Sequence, residues 1–214
     1  MNTNALKSDY AAFENMIAHA IFCASRRNGV RGISFNDFFA GLLGELQDKF
    51  EPMTMTIAGS SKRIVASDLL HGFPALSSLV NATIPFLAPP NAEWPDPILK
   101  ADGCNFGHLV RSTGEERCDT YVINVNTPER PLFICDCKYW NEAVGSDNVR
   151  NIVGGLEEFW GDKWTIVLLF CVQLENVKNW EQEEIGCVKV TCETHQSPEG
   201  KKKKLLVVME MGTL

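Results

Sequence analysis

Apolar residues recur at three- and four-residue spacings in two stretches near the start of the chain. Within residues 8–25 the apolar positions are Tyr10, Phe13, Ile17, Ala20, Ile21 and Ala24. Within residues 36–49 and just beyond they are Phe38, Phe39, Leu42, Leu43, Leu46 and Phe50. Both patterns match the period of an amphipathic α-helix, and Ser8 is placed to cap the first. We therefore predict an N-terminal segment, residues 1–50, whose helices pack as a pair.

The pattern becomes strand-like in the second half of the chain. FGHLVRS (106–112), CDTYVINV (118–125) and LFICDCKYW (132–140) are apolar runs separated by turn-forming residues, which predicts a three-stranded meander. SDNVRNIVGGLEEFW (146–160) begins with a potential capping serine and carries a helical stripe. WTIVLLFCV (164–172) is continuously apolar, as in a strand buried on both faces. This order predicts an α/β fold with a mixed central sheet flanked by helices.

The remaining segments have weaker patterns. Residues 51–105 contain the strand-like MTMTI, a broken helical stretch and the proline-rich APPNAEWPDP, and we interpret them as an insertion or lid. Residues 173–214 contain GCVKVTCETH and KLLVVMEM, which predict an antiparallel strand pair. We expect residues 1–214 to form a single domain with residues 106–172 as its core.

Composition and charge narrow the classes of function. The 214 residues are 45% hydrophobic, which suffices for the core of one globular unit. The net charge is −7 and the pI is near 5.2, so the chain has no general attraction for phosphate backbones. Binding of a nucleic acid would therefore require a local basic groove or a site neutralised by a metal. No apolar stretch has the length of a membrane span, so we expect no membrane partner.

Eight cysteines raise the alternatives of disulfides or a zinc site. The N-terminus has no secretory signal pattern, so we expect reduced thiols and an intracellular location, cytoplasmic or nuclear. No C-x-x-C pair occurs, and Cys135 and Cys137 have no second ligand pair at a recognised zinc spacing. A cysteine-based zinc protein is therefore a third and weaker hypothesis.

Acidic residues and a lysine interrupt the apolar strands of the predicted meander. If its second and third strands pair about the turn NTPERP, Asp119 lies opposite about residue 138 and Tyr121 opposite about residue 136. Because side chains alternate along a strand, Asp136 and Lys138 share one face and the flanking cysteines point the other way. The register then adds Asp119 to the Asp136/Lys138 pair.

Two carboxylates and an ammonium group inside apolar sequence are costly to assemble unless a cation or a substrate uses them. Mg²⁺ or Mn²⁺ prefers carboxylates together with water and phosphate oxygens, which suits Asp119 and Asp136. Lys138 is then placed to act on the attacking water or to stabilise charge on a phosphate. The simpler alternative is a cross-strand salt bridge on a solvated sheet face, which stabilises little. A sheet covered on both sides favours the functional interpretation.

The order of these segments resembles that of a known enzyme family. The run ERCDTYVIN, a hairpin turn, FICDCKYW, the helix SDNVRNIVGGLEEFW and the strand WTIVLLFCV resemble the catalytic core of the PD-(D/E)xK nuclease superfamily. Within it, the chain is most similar to the nuclease-like domains of Crinkler effectors and retrotransposon hot spot proteins. The resemblance covers residues 106–172 and one N-terminal helix. It implies a restriction-endonuclease-like core, with Asp119 and Asp136 as ligands of Mg²⁺ or Mn²⁺ and Lys138 as the catalytic lysine.

The resemblance also implies a metal-binding glutamate on a helix before the meander. Glu14 borders the apolar face of the first helix and is preferred, while Glu45, beside the stripe of the second helix, is the alternative. On the helix after the meander, Arg150 and Asn151 are candidate contacts to nucleic-acid phosphates.

The chain departs from the family pattern at one motif position. The residue before Asp119 is Cys118 rather than proline. A literal Pro95-Asp96 does occur, but it lies in a proline-rich stretch with no strand pair behind it, and we treat it as unrelated.

These residues predict a metal-dependent endonuclease that hydrolyses phosphodiester bonds of DNA, and less favourably of RNA. The alternative is a nuclease-fold binding or interaction module without catalytic activity, within a larger mobile-element or effector protein. The acidic net charge and the unsettled glutamate favour that alternative. A homodimer is compatible with the sequence, which does not determine the oligomeric state.

Overall fold

The structure of the chain is a computed structural model, and it describes residues 3–50, 83–88, 103–139, 143–164, 166–173, 175, 181–185, 188–196 and 203–210. The strand-like and broken helical stretches predicted in the first part of the insertion lie outside these residues, and so does most of its proline-rich run.

Both amphipathic stretches at the start of the chain form helices, α1 (Thr3–Ser25) and α2 (Phe35–Phe50). Their apolar faces are buried in one cluster that contains Phe13, Ile17, Ile21, Phe38, Phe39 and Leu42, so the helices pack as predicted. Helix α1 begins five residues before the expected start, so the prediction that Ser8 caps it is wrong. The reason is that the preceding Ala-Leu-Lys triplet consists of good helix formers that continue the helix.

A short antiparallel strand pair lies directly before α2. Strand β1 (Ile33–Ser34) pairs antiparallel with β2 (Thr83–Ile84). The Ser34 Oγ accepts a hydrogen bond from the Asp37 backbone N–H at 3.1 Å, and the Ser34 hydroxyl donates to the Asp37 Oδ2 at 2.7 Å. The first of these bonds satisfies a backbone N–H that the first turn of a helix leaves without a partner.

A mixed sheet forms the centre of the described structure. Its strands are β3 (Phe86–Ala88), β4 (Phe106–Arg111), β5 (Thr120–Asn124), β6 (Thr127–Lys138), β7 (Ile166–Cys171), β8 (Glu181–Ile185), β9 (Val188–Gln196) and β10 (Lys203–Glu210). In the described ranges they form one eight-stranded sheet in the order β3-β4-β5-β6-β7-β10-β9-β8. The pairs β3–β4, β6–β7 and β7–β10 are parallel, and the other neighbours are antiparallel. With the helices on its faces, the sheet makes this an α/β fold, as the sequence predicts.

The meander β4-β5-β6 is present, but its second hairpin has a different register from the one expected. Tyr121 lies opposite Ile134 rather than Asp136. The turn joins Asn124 to Thr127, earlier than predicted, and irregularities on both sides of Ile123 absorb extra residues of β6. From Thr120 to Val122 the displacement is two residues, an even number, so Asp136 and Lys138 keep the sheet face that was predicted for them.

Helix α3 (Ser146–Trp160) carries the chain from β6 to the parallel strand β7. Its bounds are those predicted, although its N-cap is Gly145 rather than the expected serine. The Gly145 N–H donates to the Asn148 Oδ1 at 3.0 Å. The helix ends at Gly161, whose φ of 52° is a backbone conformation that favours glycine.

Helices cover both faces of the sheet. Along β7, Ile166, Leu168 and Phe170 enter the core cluster formed with α1 and α2. The alternate residues Val167, Leu169 and Cys171 enter the cluster formed with α3. Every residue of β7 is buried, as its unbroken apolar sequence predicts.

The C-terminal strands join the same sheet. Strands β9 and β10 are antiparallel as expected, and β10 also lies parallel to β7. Strand β8, with the sequence EQEEI, was not predicted, because it lacks the apolar alternation typical of a strand. It occupies the edge of the sheet, where charged residues discourage pairing with another chain. No helix in the described ranges is long and apolar enough to span a membrane.

Truncation of a core aromatic residue tests the packing of α2 on the sheet. Phe133 is fully buried, and its ring centroid lies 5.3 Å from that of Phe38. We expect Phe133→Ala to lower the free energy of unfolding by about 3–5 kcal/mol in urea titrations, because it leaves a cavity. The matched variant Phe159→Ala removes a ring that is 47% exposed and should cost less than about 1 kcal/mol. Equal losses in the two variants would contradict this packing.

Candidate active site

The start of β5 and the end of β6 lie side by side because the two strands are antiparallel. Asp119 immediately precedes β5, and its backbone N–H donates to the Cys135 carbonyl at 3.1 Å. In return, the Cys137 N–H donates to the Asp119 Oδ2 at 2.5 Å. The backbone of β6 therefore fixes the carboxylate of Asp119 next to the segment that carries Asp136.

Asp136 and Lys138 project from the same face of β6. The Lys138 Nζ lies 2.8 Å from the Asp136 Oδ1 and 2.8 Å from its Oδ2. The Asp136 side chain is only 3% exposed, whereas that of Lys138 is 18% exposed. Their neighbours Cys135 and Cys137 lie in the core cluster on the opposite face, which confirms the alternation read from the sequence. The ion pair is thus sheltered and does not lie on a solvated sheet face.

Helix α1 brings two further side chains to this point. The Tyr10 hydroxyl lies 3.1 Å from the Cys137 carbonyl oxygen and 3.4 Å from the Asp119 Oδ1. One helical turn later, Glu14 interacts with both Tyr10 and Asp119. The structure therefore brings Glu14 to Asp119, which in turn lies next to Asp136. The Glu45 side chain lies outside the described residues, so its role as the alternative ligand stays a prediction.

Burial and the charge of the Asp119 carboxylate raise the pKa values of two neighbouring carboxyl groups, those of Asp136 and Glu14. Burial raises the pKa of Asp136 to about 7, the Lys138 ammonium opposes the shift, and the Asp119 carboxylate adds to it. Burial and the charge of Asp119 also raise the pKa of Glu14. The pKa of the Tyr10 hydroxyl is raised for the same reasons, so Tyr10 is a neutral donor at neutral pH. Added positive charge would relieve the repulsion among the acids.

Asp119 and Asp136 already have hydrogen-bond partners within the protein. Among the described residues, no group of three or more His, Cys, Asp or Glu side chains is arranged as a ready-made metal site. The acids interact through space, but Asp119 accepts the Cys137 N–H and Asp136 faces the Lys138 ammonium. A cation bound by Asp119, Asp136 and Glu14 would have to replace part of these contacts. Cys104, Cys118, Cys135 and Cys137 form no disulfide.

An open cavity of about 450 Å³ adjoins the acids and separates them from α3. Its lining comprises Gly114, Arg117, Cys118, Asp119, Asp136, Lys138, Asn148, Asn151, Ile152 and Gly155. Of the two predicted phosphate contacts, Asn151 lines this cavity. Arg150 does not, and its Nη1 lies 2.9 Å from the Asp147 Oδ1 in an exposed ion pair.

Arg117 and Asn148 also line the cavity, and the sequence analysis missed both. A weak signal for Arg117 is its position two residues before Asp119, since a basic neighbour of a candidate acid can share its site. The sequence carries no signal for Asn148, which reaches the cavity through the placement of α3.

Comparison of the chain with protein-family models, curated proteins and solved structures finds no match.

Replacement of Asp136 tests how much the burial of its charge lowers the free energy of unfolding. Since folding raises the pKa of Asp136 from 3.8 to about 7, the folded chain binds more protons than the unfolded chain between these values. The free energy of unfolding should therefore fall as the pH rises through this window. We expect Asp136→Asn to be more stable than the wild type by on the order of 1 kcal/mol near about pH 8 without divalent cations.

The pH dependence of urea unfolding measures this effect. The advantage of Asp136→Asn should shrink as the pH falls and vanish below 3.8, where the wild-type carboxyl becomes protonated in the unfolded chain as well. Glu129→Gln, at an exposed position of β6, is the control and should differ from the wild type by a small, pH-independent amount. A variant at Asp136 that is less stable than the wild type at alkaline pH would show that the Lys138 pair outweighs burial.

Proposed function

We propose that the chain is a metal-dependent nuclease that hydrolyses phosphodiester bonds, with DNA favoured over RNA as the substrate. The observation that carries this proposal is the convergence of Asp119, Asp136 and Lys138 beside one open cavity, with Glu14 interacting with Asp119 behind them. An isolated structural ion pair does not require two further acids next to it. A site for a cation and a phosphate does, because the acids hold the cation and the cavity admits the strand.

The topology supports placement of the chain in the PD-(D/E)xK superfamily, of the type found in Crinkler effectors and retrotransposon hot spot proteins. The order of elements is helix α1, the antiparallel meander β4-β5-β6, the crossover helix α3 and the parallel strand β7. In this placement the first acid lies at the start of β5 and the D-x-K triplet at the end of β6. The departure at Cys118 stands, and Pro95-Asp96 lies outside the described residues.

The donor set fits a hard divalent cation. Asp119, Asp136 and Glu14 offer carboxylate oxygens, which Mg²⁺ and Mn²⁺ prefer. The pKa values of Asp136 and Glu14 are raised by burial and by the charge of Asp119, and a bound cation would lower that repulsion. When bound, the metal supplies Lewis-acid stabilisation of the negative charge that develops on a phosphodiester under attack.

The side chains of the site have separate tasks in this proposal. Tyr10 and the Cys137 N–H orient the carboxylate of Asp119. Lys138 lines the cavity as a partly exposed ammonium, so it can stabilise charge on the phosphate or exchange a proton with the attacking water. Ile152 and its neighbours on α3 form the opposite wall of the cavity.

One observation favours a second candidate, a nuclease-fold binding module without catalytic activity. Lys138 already neutralises Asp136 at 2.8 Å, so the buried acid has a partner without any metal. Metal binding separates the two candidates. The predicted nuclease binds Mn²⁺ through Asp119 and Asp136, whereas the inactive module does not.

Cleavage assays with Mn²⁺ test the nuclease directly. We expect the purified chain to cut plasmid, linear or single-stranded DNA, and Asp119→Ala, Asp136→Asn and Lys138→Ala to be slower by at least roughly 100-fold. Asp136→Asn is informative because it should not lose stability. Glu129→Gln removes an exposed acid from the same strand and should cut like the wild type. Intact substrates with the wild type, or equal rates in Asp136→Asn, would refute the proposal.

Calorimetry decides between the nuclease and the inactive module. Mn²⁺ should bind to the wild type, and saturation at about 100 times the dissociation constant should stabilise the fold by roughly 2.7 kcal/mol. Neither binding nor stabilisation is expected in Asp119→Ala or Asp136→Asn. Binding that persists in both variants would place the ion elsewhere.

The helical glutamate is assigned by a matched pair of variants. Glu14→Gln should lower both the Mn²⁺ affinity and the cleavage rate by about 10–100-fold, because Glu14 interacts with Asp119. Glu45→Gln should leave both unchanged. The reverse result would transfer the role to Glu45.

A further inference from the structure

We propose that Arg117, with Asn148 and Asn151, forms a subsite that binds a backbone phosphate of the nucleic-acid strand adjacent to the one attacked. This inference rests on the proposed function, because it names how the same cavity holds its substrate. It concerns residues other than the acids and the lysine of the D…DxK motif.

Arg117 lies at the right place for such a contact. Its side chain is exposed and lines the same cavity as Asp119 and Lys138. Two residues of extended chain span at most about 7 Å, which is of the order of the separation between neighbouring phosphates in a strand. A strand whose reacting phosphate lies at the acids therefore presents its next phosphate near Arg117.

The loop that carries Arg117 is held on both sides. The Glu116 Oε2 accepts hydrogen bonds from the Ser112 Oγ at 2.8 Å and from the Thr113 N–H at 3.0 Å. The Trp160 Nε1–H donates to the Glu116 carbonyl at 2.9 Å and so ties the loop to the end of α3. On the other side, the Ser112 N–H donates to the Asp119 carbonyl at 2.9 Å. Arg117 thus projects from an anchored loop.

The backbone of Arg117 has an unfavourable conformation. Its φ is 58°, and among the described residues it is the only residue other than glycine with a positive φ. Glycine or asparagine adopts this conformation more easily than arginine does. The backbone conformation therefore gives no reason for an arginine at this position. Strained positions of this kind cluster at functional sites, where the side chain contacts a ligand.

The stem of Arg117 packs against a glycine in the middle of α3. A Cβ placed on Gly155 would lie 3.7 Å from the Arg117 Cβ and Cγ and 3.9 Å from its Cδ. Glycine inside a helix is less stable than alanine by roughly 1 kcal/mol. A methyl group here would make ordinary contact with the arginine stem, so a side chain larger than alanine would enter the space that the stem occupies. Within the described part of the chain, no hydrogen bond or ion pair engages the Arg117 guanidinium.

Helix α3 supplies neutral donors across from Arg117. The Asn148 Oδ1 accepts the Gly145 N–H, which fixes the amide and leaves its NH₂ group for a ligand. Asn151 is exposed on the next turn and lines the same cavity. A guanidinium and amide groups match the oxygens of a phosphate, and they offset the repulsion that the acids exert on it.

Binding of a fluorescein-labelled DNA oligonucleotide in EDTA tests the subsite without cleavage. We expect Arg117→Gln to weaken binding at low salt by about 5–30-fold and to reduce the dependence of log affinity on log salt by about 0.7–0.9. Arg117→Lys should keep most of the salt dependence while losing part of the affinity, because it retains the charge but not the planar fork. Mn²⁺ binding should be unchanged in both variants.

Two controls separate the subsite from general effects of charge and folding. Arg130→Gln removes an exposed arginine from the hairpin end of β6, remote from Lys138, and should bind the oligonucleotide like the wild type. Arg117→Asn suits the positive φ, so it should unfold no more easily than the wild type and yet bind like Arg117→Gln. Equal affinity in Arg117→Gln and Arg130→Gln would overturn the proposal.

Adjacent glycines of α3 give a second matched pair. Gly155→Leu places a side chain against the Arg117 stem and should weaken oligonucleotide binding, whereas Gly154→Leu enters open space and should not. Both changes replace glycine with a better helix former, so helix stability does not distinguish them. Equal binding by the two variants would contradict the role of the stem contact.

The result is independent of the outcome for cleavage. If the wild type binds the oligonucleotide through Arg117 but cuts nothing with Mn²⁺, the subsite stands and the nuclease proposal fails. If the wild type cuts but Arg117→Gln binds normally, the nuclease proposal stands and the subsite fails. If the wild type binds no oligonucleotide even at low salt, the subsite fails whatever the cleavage assay shows.

Discussion

The backbone hydrogen bonds between the start of β5 and the end of β6 bring an acid of one strand beside an acid and a lysine of the next. The Cys137 N–H holds the Asp119 carboxylate, and the Asp119 N–H pairs with the Cys135 carbonyl. Everything else in the site is arranged around this pair of strand ends. Helix α1 adds Tyr10 and Glu14 from one side, and α3 closes the cavity from the other.

This arrangement concentrates features that do not help the fold. A carboxylate lies in the core beside a second acid, an arginine adopts a left-handed backbone conformation, and a helix carries a glycine in its middle. Each is less favourable than an available replacement. They lie around one cavity, and the proposed nucleic-acid ligand would use them together, since a protein retains local instability where function needs it.

The surrounding structure supplies the rigidity that such a site requires. Strand β6, which carries Asp136 and Lys138, lies between β5 and β7 and is therefore paired on both edges. Its neighbour β7 is buried at every position. Clusters on both sheet faces keep β6 from twisting away from β5. The net charge of −7 gives the chain no general attraction for phosphate. The proposed nuclease would attract a phosphate through local groups, namely Arg117, Lys138 and a cation bound by the acids.

The sequence by itself determined the elements and the face that each side chain occupies. The periods of helix and strand depend only on neighbours along the chain, so α1, α2, the meander, α3 and β7 could be predicted, as could the shared face of Asp136 and Lys138. Edge strand β8 was not predicted, because its sequence EQEEI lacks the apolar alternation of a strand.

Only the tertiary structure decided the register of β5 on β6, the approach of Glu14 to Asp119, and the place of β10 beside β7. It also decided which polar residues of α3 face the cavity and that Arg117 joins them. The physical reason is that these contacts join segments far apart in the sequence. Strand irregularities and the packing of whole helices set their geometry, and a local pattern of apolar and polar residues records neither.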